Sequence, residues 1–258
     1  MNTPLIALVT DFGRVDSYVA EVHLAIQRAV PGAHVLDVAH DLKPYDLVGA
    51  ALVVERTLAE LPRGAALVAV IDPGVGTARS PIAVSVDARW CVGPDNGVLP
   101  VRSPRETPAW RIDAVRARHG ATTFDGRERF GPAAALLAAG LDPRLLGARL
   151  GAVTRNVLPH EAEYEMLGHL RYARGVVIAC DRYGNAVTSL RLPPGVAPHE
   201  AEVIEPEAFA GPLVTAYGAV ARGQRLAIVG SSGRVELAVS QGESSLAPGA
   251  EVLLRCPA

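Results

Sequence analysis

The sequence predicts an α/β domain with a mostly parallel sheet, followed by a smaller all-β, barrel-like domain. Three observations carry that expectation. Apolar strand-like runs alternate with amphipathic helical stripes through the first 150 residues, the order expected of a parallel sheet covered by helices. Beyond residue 165 the apolar runs are short, separated by turn residues and free of any helical stripe, as in a sandwich or barrel. The chain of 258 residues, 49% apolar and 20% charged, suits one large or two modest globular domains with a sizeable core.

Taken in order, Leu5–Thr10 is a short apolar strand ending at Asp11-Phe12-Gly13. Asp16 is placed to cap a helix whose apolar positions Val19, Val22, Ile26 and Ala29 recur three and four apart, and Pro31-Gly32 ends it. His34–Val38 is the second strand. Leu47, Ala51, Val54, Leu58 and Leu61 mark one face of a second helix closed by Pro62 and Gly64. Ala65–Ile71 is the third strand, and Ile82–Val86 and Trp90–Val92 are the fourth and fifth. Pro132–Ala139 is a short helix stopped by Gly140. The divisions expected are residues 1–150 for the α/β domain, 151–165 for a linker without clear period, and 166–258 for the β domain. Strands in the last are expected at Val176–Cys180, Ala186–Leu190, Glu202–Ile204, Arg225–Val229, Val235–Val239 and Glu251–Leu254.

Composition excludes several classes. A net charge of −2 offers no nucleic-acid-binding surface. No run approaches the ~18–20 apolar residues of a membrane span, and Met1–Ile6 lacks the basic start of a secretory signal. Cys91, Cys180 and Cys256 are odd in number and far apart. They read as free thiols of a reducing compartment, the cytoplasm, with no metal cluster.

Chemistry-bearing residues gather at predicted strand ends. Asp72-Pro73-Gly74-Val75-Gly76-Thr77-Ala78-Arg79 follows the third strand directly. Pro73 stops the strand, the glycines permit a tight return, and an arginine comes back to an aspartate at a strand tip, where ligands bind in open α/β sheets. A plain turn with a surface ion pair reads equally well from this stretch. Asp11 ends the first strand in the same way. If the two strands are parallel neighbours, both carboxylates rise from one edge, where a carboxylate can accept two hydrogen bonds from a ribose diol. Pro94-Asp95-Asn96-Gly97 is a turn sequence, and Thr122–Arg127 precedes a Pro-initiated helix, a position suited to a binding loop. Asp181-Arg182-Tyr183-Gly184-Asn185 is either a hairpin or a loop offering an acid, an aromatic face and an amide, and Ser231-Ser232-Gly233 is a similar loop.

Six segments in order, TDFGRVDSYVAEV (10–22), IDPGVGTAR (71–79), GPDNGVL (93–99), TFDGRERFGPAAA (123–135), CDRYGNAVTSL (180–190) and GSSGRVELAVSQG (230–242), cover nearly the whole chain. Together they resemble the S-adenosyl-L-methionine (SAM) hydrolase family, the SAM hydroxide adenosyltransferases, relatives of fluorinase and chlorinase. The resemblance implies attack of water or hydroxide on C5′ of SAM, giving adenosine and L-methionine with no cofactor. It implies a homotrimer whose site lies between one subunit's N-terminal domain and the next subunit's C-terminal domain. It sets Asp72 and Arg79 as catalytic and Asp11 on the ribose. Tyr45 and Phe124 line the pocket, Asp181, Tyr183 and Asn185 meet the methionine and adenine portions, and Ser231 and Ser232 lie near the methionine carboxylate. Asp16 and Asn96, inside two of the segments, join the substrate-binding set.

One position departs from the family. Its third catalytic residue is a histidine followed by Gly-Arg-Asp, and here Asp125 stands there, before Gly126-Arg127-Glu128. His119 is near in sequence but would have to reach across Ala121–Phe124. Two carboxylates round one arginine predict a net negative site that complements the sulfonium and lets Asp125 act as general base. The same charge argues against halide as nucleophile. Loss of the histidine leaves a second reading, a SAM- or adenosine-binding protein with little turnover.

Overall fold

A computed structural model describes residues 3–115 and 123–258. The chain divides into two compact units, Met1–Val157 and Leu158–Ala258.

The N-terminal unit carries β1 (Leu5–Thr10), α1 (Tyr18–Ala29), β2 (His34–Ala39), α2 (Leu47–Glu60), β3 (Ala66–Val70), β4 (Pro81–Val86), β5 (Arg89–Pro94), β6 (Ala109–Arg111) and α3 (Gly131–Ala138). Its six-stranded sheet runs β2-β1-β3-β5-β4-β6. The first four are mutually parallel, while β4 and β6 run against their neighbours. Strands β1 and β3 are covered on both faces, which is why they read as unbroken apolar runs. Ala7, Val9, Leu67 and Ala69 pack on Ala50, Val54 and Leu58 of α2. Ile6, Leu8, Ala66 and Val68 pack on Val22 and Ile26 of α1 and on Ala133, Ala134 and Leu137 of α3. Each large aliphatic side chain buried this way contributes about 1.5–3 kcal/mol. Trp90 and Trp110 meet edge to face on β5 and β6, centroids 5.6 Å apart.

Three local features differ from expectation. The β4–β5 reversal is a two-residue turn with Asp87 at φ 49° and Ala88 at φ 58°. That is the geometry of a type I′ hairpin, made without the usual Asn-Gly or Asp-Gly. Asp16 does not cap α1. The cap position is Ser17, already helical at φ −76°, ψ −3° with no side-chain cap, and Asp16 stands one residue too early to reach the first free amides. Its place is taken by Ser17, whose hydroxyl donates to Glu21 Oε1 at 2.7 Å. Finally, the expected linker 151–165 is not one uniform tether. Val153, Asn156 and Val157 donate backbone N–H groups to Pro104, Val101 and Gly97 carbonyls, strapping this stretch onto the N-terminal unit. Tyr164 and Glu165 already belong to the first strand of the next unit. Such a strap needs loop carbonyls, not periodicity, so no pattern announces it.

The C-terminal unit holds β7 (Tyr164–Leu167), β8 (Leu170–Cys180), β9 (Ala186–Thr188), β10 (Glu202–Glu205), β11 (Gly211–Pro212), β12 (Arg225–Val229), β13 (Val235–Val239) and β14 (Glu251–Pro257). The order is β11-β10-β14-β8-β9-β13-β12, with β7 on β8, and all these pairs are antiparallel. Beyond β11, the Val214 N–H donates to Ala227 on β12 at 2.8 Å and nearly closes the sheet into a barrel. Val177, Val203, Phe209, Leu237, Val252 and Leu254 fill it. Among the described residues no helix is long and apolar enough to cross a membrane, and Cys91, Cys180 and Cys256 are free thiols.

Candidate active site

The site in the N-terminal unit starts where β3 stops. Ile71 ends the buried run, and Asp72 opens two overlapping turns. Val75 N–H bonds the Asp72 carbonyl at 3.2 Å, and Thr77 bonds the Gly74 carbonyl through both its N–H (3.1 Å) and its hydroxyl (2.7 Å). Gly76 takes φ +79°, a backbone open to glycine at no steric cost. These turns return Arg79 so that its guanidinium forks onto Asp72, Nε to Oδ1 at 3.0 Å and Nη2 to Oδ2. The same Nη2 donates to Asp125 Oδ2 at 2.7 Å. Side-chain exposures of 5% for Asp72, 11% for Arg79 and 2% for Asp125 make this a buried cluster. Burial alone would lower the pKa of Arg79, but its hydrogen bonds to Asp72 and Asp125 outweigh that and raise it. Asp72, Arg79 and Asp125, singled out from sequence, are therefore brought together.

Asp125 arrives from a different element, at the head of a π-turn, Gly126–Phe130, that runs into α3. The Phe130 ring lies 5.5 Å below the Arg79 guanidinium carbon. Four residues on, Arg129 places its Nε 3.4 Å from Asp125 Oδ1. This corrects the expected net negative site: two carboxylates are matched by two guanidinium groups. Arg129 was not singled out from sequence, although acid and base four residues apart near a helix start is a readable signal.

Asp11 and Asp72 rise from the same sheet edge, because β1 and β3 are parallel neighbours with Thr10 opposite Val70. Asp11 Oδ2 accepts the Tyr45 N–H at 3.0 Å, and Tyr45 sits at φ 66° with its ring exposed. Below Asp11, His40 holds the strand end twice, by its Nδ1 2.9 Å from the Thr10 hydroxyl and by its carbonyl, which accepts Gly13 N–H at 2.8 Å. Asp37 Oδ1 lies 2.9 Å from His40 Nε2 and 2.7 Å from His23 Nε2. Burial raises the pKa of Asp37, yet hydrogen bonds from His40 and His23 leave it below the usual carboxylate value.

Phe124 packs edge-on against Phe12 and Tyr18, at 5.4 and 5.3 Å, and Arg127 covers its ring at 5.0 Å. Phe12 and Tyr18 are not among the site residues expected from the sequence, although both lie in the 10–22 segment. Asn96 spends its amide on the scaffold: Nδ2 donates to the Ile71 carbonyl at 2.9 Å and Oδ1 accepts Val98 N–H at 3.2 Å. In this structure it fastens the β3 tip that presents Asp72. Asp16 lies exposed in the turn before α1. His119 and Thr122 fall outside the described residues.

In the C-terminal unit, Asp181 organises its own loop between β8 and β9. Its Oδ1 accepts the Tyr183 and Asn185 N–H groups at 2.8 and 2.9 Å, and its Oδ2 accepts Asn185 Nδ2 at 2.9 Å. Gly184 turns at φ +79°, where a Cβ would meet Glu243 at 2.5 Å. The loop buries Asn185 and leaves the Tyr183 ring 77% exposed. Ser231 is exposed, and Ser232 is fixed through its carbonyl, which accepts Arg191 Nη1 at 2.7 Å. Among the described residues no His, Cys, Asp and Glu group has the makings of a metal site.

A strand-tip Asp–Arg–Asp cluster beside a second strand-tip aspartate, on an α/β unit followed by a β-barrel unit, defines a class of two-domain proteins whose polar site sits on the carboxyl edge of a parallel sheet. Residues 6–147 match the SAM hydroxide adenosyltransferase N-terminal domain and residues 175–254 match its C-terminal domain, and the chain belongs to that family. It is 38% identical to the (R)-S-adenosyl-L-methionine hydrolase of Thermus thermophilus over 93% of this chain and 94% of that protein. It is 34% identical to the protein of the same name from Salinispora tropica over 94% and 93%. The fold is similar to that of an uncharacterised conserved protein of Thermotoga maritima, with a TM-score of 0.82, 27% identity, and coverage of 96% of this chain and 99% of that one.

Proposed function

We propose that this protein hydrolyses SAM at C5′ to adenosine and L-methionine. The observation that carries the reading is the buried Asp72–Arg79–Asp125 cluster, one strand from Asp11 on the same sheet edge. The sulfonium is already a good leaving group, so no acid, metal or cofactor is required to expel methionine. As the C5′–O bond forms, the C5′–S bond breaks and its electron pair stays on sulfur, giving a neutral thioether. The positive charge moves to the attacking oxygen, which then loses its proton to solvent.

The protein's task is to hold one water in line and to stabilise that migrating charge. Asp72 accepts a hydrogen bond from the water through a lone pair that Arg79 leaves open. Arg79 fixes the angle of that carboxylate. Asp11 receives the ribose hydroxyls, with its second oxygen set by Tyr45 N–H. Phe124 and Tyr45 line the pocket. Tyr183 stacks on the adenine, Asn185 and Asp181 serve the adenine and methionine ends, and Ser231 and Ser232 meet the methionine carboxylate. Asp16 and Asn96 complete the set, Asn96 chiefly through the strand tip it holds. The working unit is a homotrimer with the site between subunits, a reading supported by two aromatic rings, Tyr45 and Tyr183, that stay exposed in the single chain. The free thiols support a cytoplasmic location. Asp72 can accept a hydrogen bond from water and none from a halide, so water is the nucleophile.

One observation favours a second reading, a SAM- or adenosine-binding protein: Asp125 has an arginine facing each of its oxygens and stands in place of the family histidine. Incubation with SAM in H₂¹⁸O separates the two. Adenosine carrying ¹⁸O at the 5′ position together with free methionine is the expected result. Bound but intact SAM overturns hydrolysis in favour of binding.

A further inference from the structure

Where the family has an imidazole, this chain has a carboxylate, and the structure shows what surrounds it. Asp125 Oδ2 takes a hydrogen bond from Arg79 Nη2 at 2.7 Å. Its Oδ1 is buried without a hydrogen bond and faces Arg129 Nε at 3.4 Å, and that Nε is buried and unbonded as well. Among the described residues, the charged groups about Asp125 are Asp72 and Arg79 from the loop after β3 and Arg129 from its own π-turn. The other charges of that turn are occupied elsewhere, Arg127 binding Glu128 at 2.6 Å and Glu21 of α1 at 2.5 Å.

We infer that Arg129 is a positioning residue that braces Asp125 as a carboxylate against Arg79, so that Asp125 orients the Asp72–Arg79 pair and does not take the proton of the attacking water. The inference rests on the hydrolase reading and deepens it. A general base needs a lone pair turned to the water and a protonated form its surroundings accept. A proton on Asp125 would leave the Arg129 guanidinium facing no anion, while Arg79 would keep only Asp72. The gap of 3.4 Å is too long for a good N–H···O bond and short enough to close by a small rotation. The pair therefore has room to tighten when substrate fills the site. In this chain the orienting task falls to a carboxylate, and the second arginine makes that carboxylate electrically tolerable.

The test is kcat and KM for SAM across about pH 5.5–8.5, a window that spans the usual histidine range. Wild type, Asp125→Asn, Arg129→Leu, Arg129→Lys, Asp125→His and the double variant Asp125→His/Arg129→Leu are compared, each first shown to melt cooperatively. The wild-type kcat is expected to be flat. Arg129→Leu lowers kcat about tenfold with KM within about twofold, and Arg129→Lys recovers much of the loss. In the Asp125→His background the same Arg129→Leu change costs less than about twofold, because no carboxylate remains to brace. An equal loss in both backgrounds overturns the inference. So does a wild-type ionisation in kcat that Asp125→Asn removes, an outcome that needs no Arg129 variant to fold. No adenosine from wild type at any pH overturns the hydrolase reading itself, a result distinct from the other two.

Discussion

The two places where this chain gathers polar residues are built on opposite plans. The Asp72–Arg79–Asp125 cluster joins a strand tip, a return loop and a π-turn, its second carboxylate standing 46 positions after the arginine. Its three side chains are at most 11% exposed. In the Asp181–Asn185 loop the Asp181 carboxylate makes its hydrogen bonds within five consecutive residues, Ser244 N–H ties the Gly184 carbonyl, and an aromatic ring is left in solvent. Groups that stabilise a moving charge must be desolvated and braced from several directions, because only then does their field act without reorganising. A loop that recognises a flat ring needs only a fixed local shape and an exposed face.

The largest expected effect comes from cutting the braced cluster at its centre. Arg79→Leu leaves Asp72 and Asp125 facing one another with no guanidinium between them. Adenosine release is expected to fall by about 10³-fold or more. Unfolding free energy is expected to drop by ~3–5 kcal/mol, the range for breaking a buried ion pair. Product assays and chemical denaturation read the two. Near-normal turnover would mean the cluster is scaffold only.

The local loop should answer differently. Asp181→Asn removes one acceptor oxygen and sets two amide groups against each other at Asn185. A rise in KM of about tenfold, or ~1.4 kcal/mol, is expected with kcat nearly unchanged. A fall in kcat at constant KM would erase the distinction between a chemical region and a recognition region.

The smallest effect sharpens the comparison at the root of β1. Asp37, held by His23 and His40, has its pKa below the ordinary carboxylate value. Its stabilisation is therefore complete above the unfolded pKa of about 3.9 and is lost as pH falls through the lower folded value. Partial exposure limits it to under about 1 kcal/mol. The difference in melting temperature between wild type and Asp37→Asn should close as the pH falls below about 4. A difference that grows as the pH falls below about 4 contradicts this linkage.

The sequence made the parallel half of the fold legible because β1 and β3 are buried on both faces and their helices carry clear stripes. It could not show β6 or β11, whose three and two residues hold too little pattern. Nor could it show that β4 runs antiparallel, since Asp87-Ala88 lacks the usual turn signature. At the site, the Asp72–Arg79 pairing was readable because one loop contains both residues. The charge balance at Asp125 was not, because it depends on a π-turn that brings Arg129 back toward its own start. For Asn96, sequence left turn and binding readings side by side. Its bonds to Ile71 and Val98 show the scaffold half of that pair.

Both tryptophans of the chain, Trp90 and Trp110, are the edge-to-face pair on β5 and β6. Indole fluorescence thus reports on the N-terminal unit alone, while far-ultraviolet dichroism sees both. One denaturant titration followed with the two signals would tell whether the barrel melts with the N-terminal unit or apart from it, with no label and no truncation.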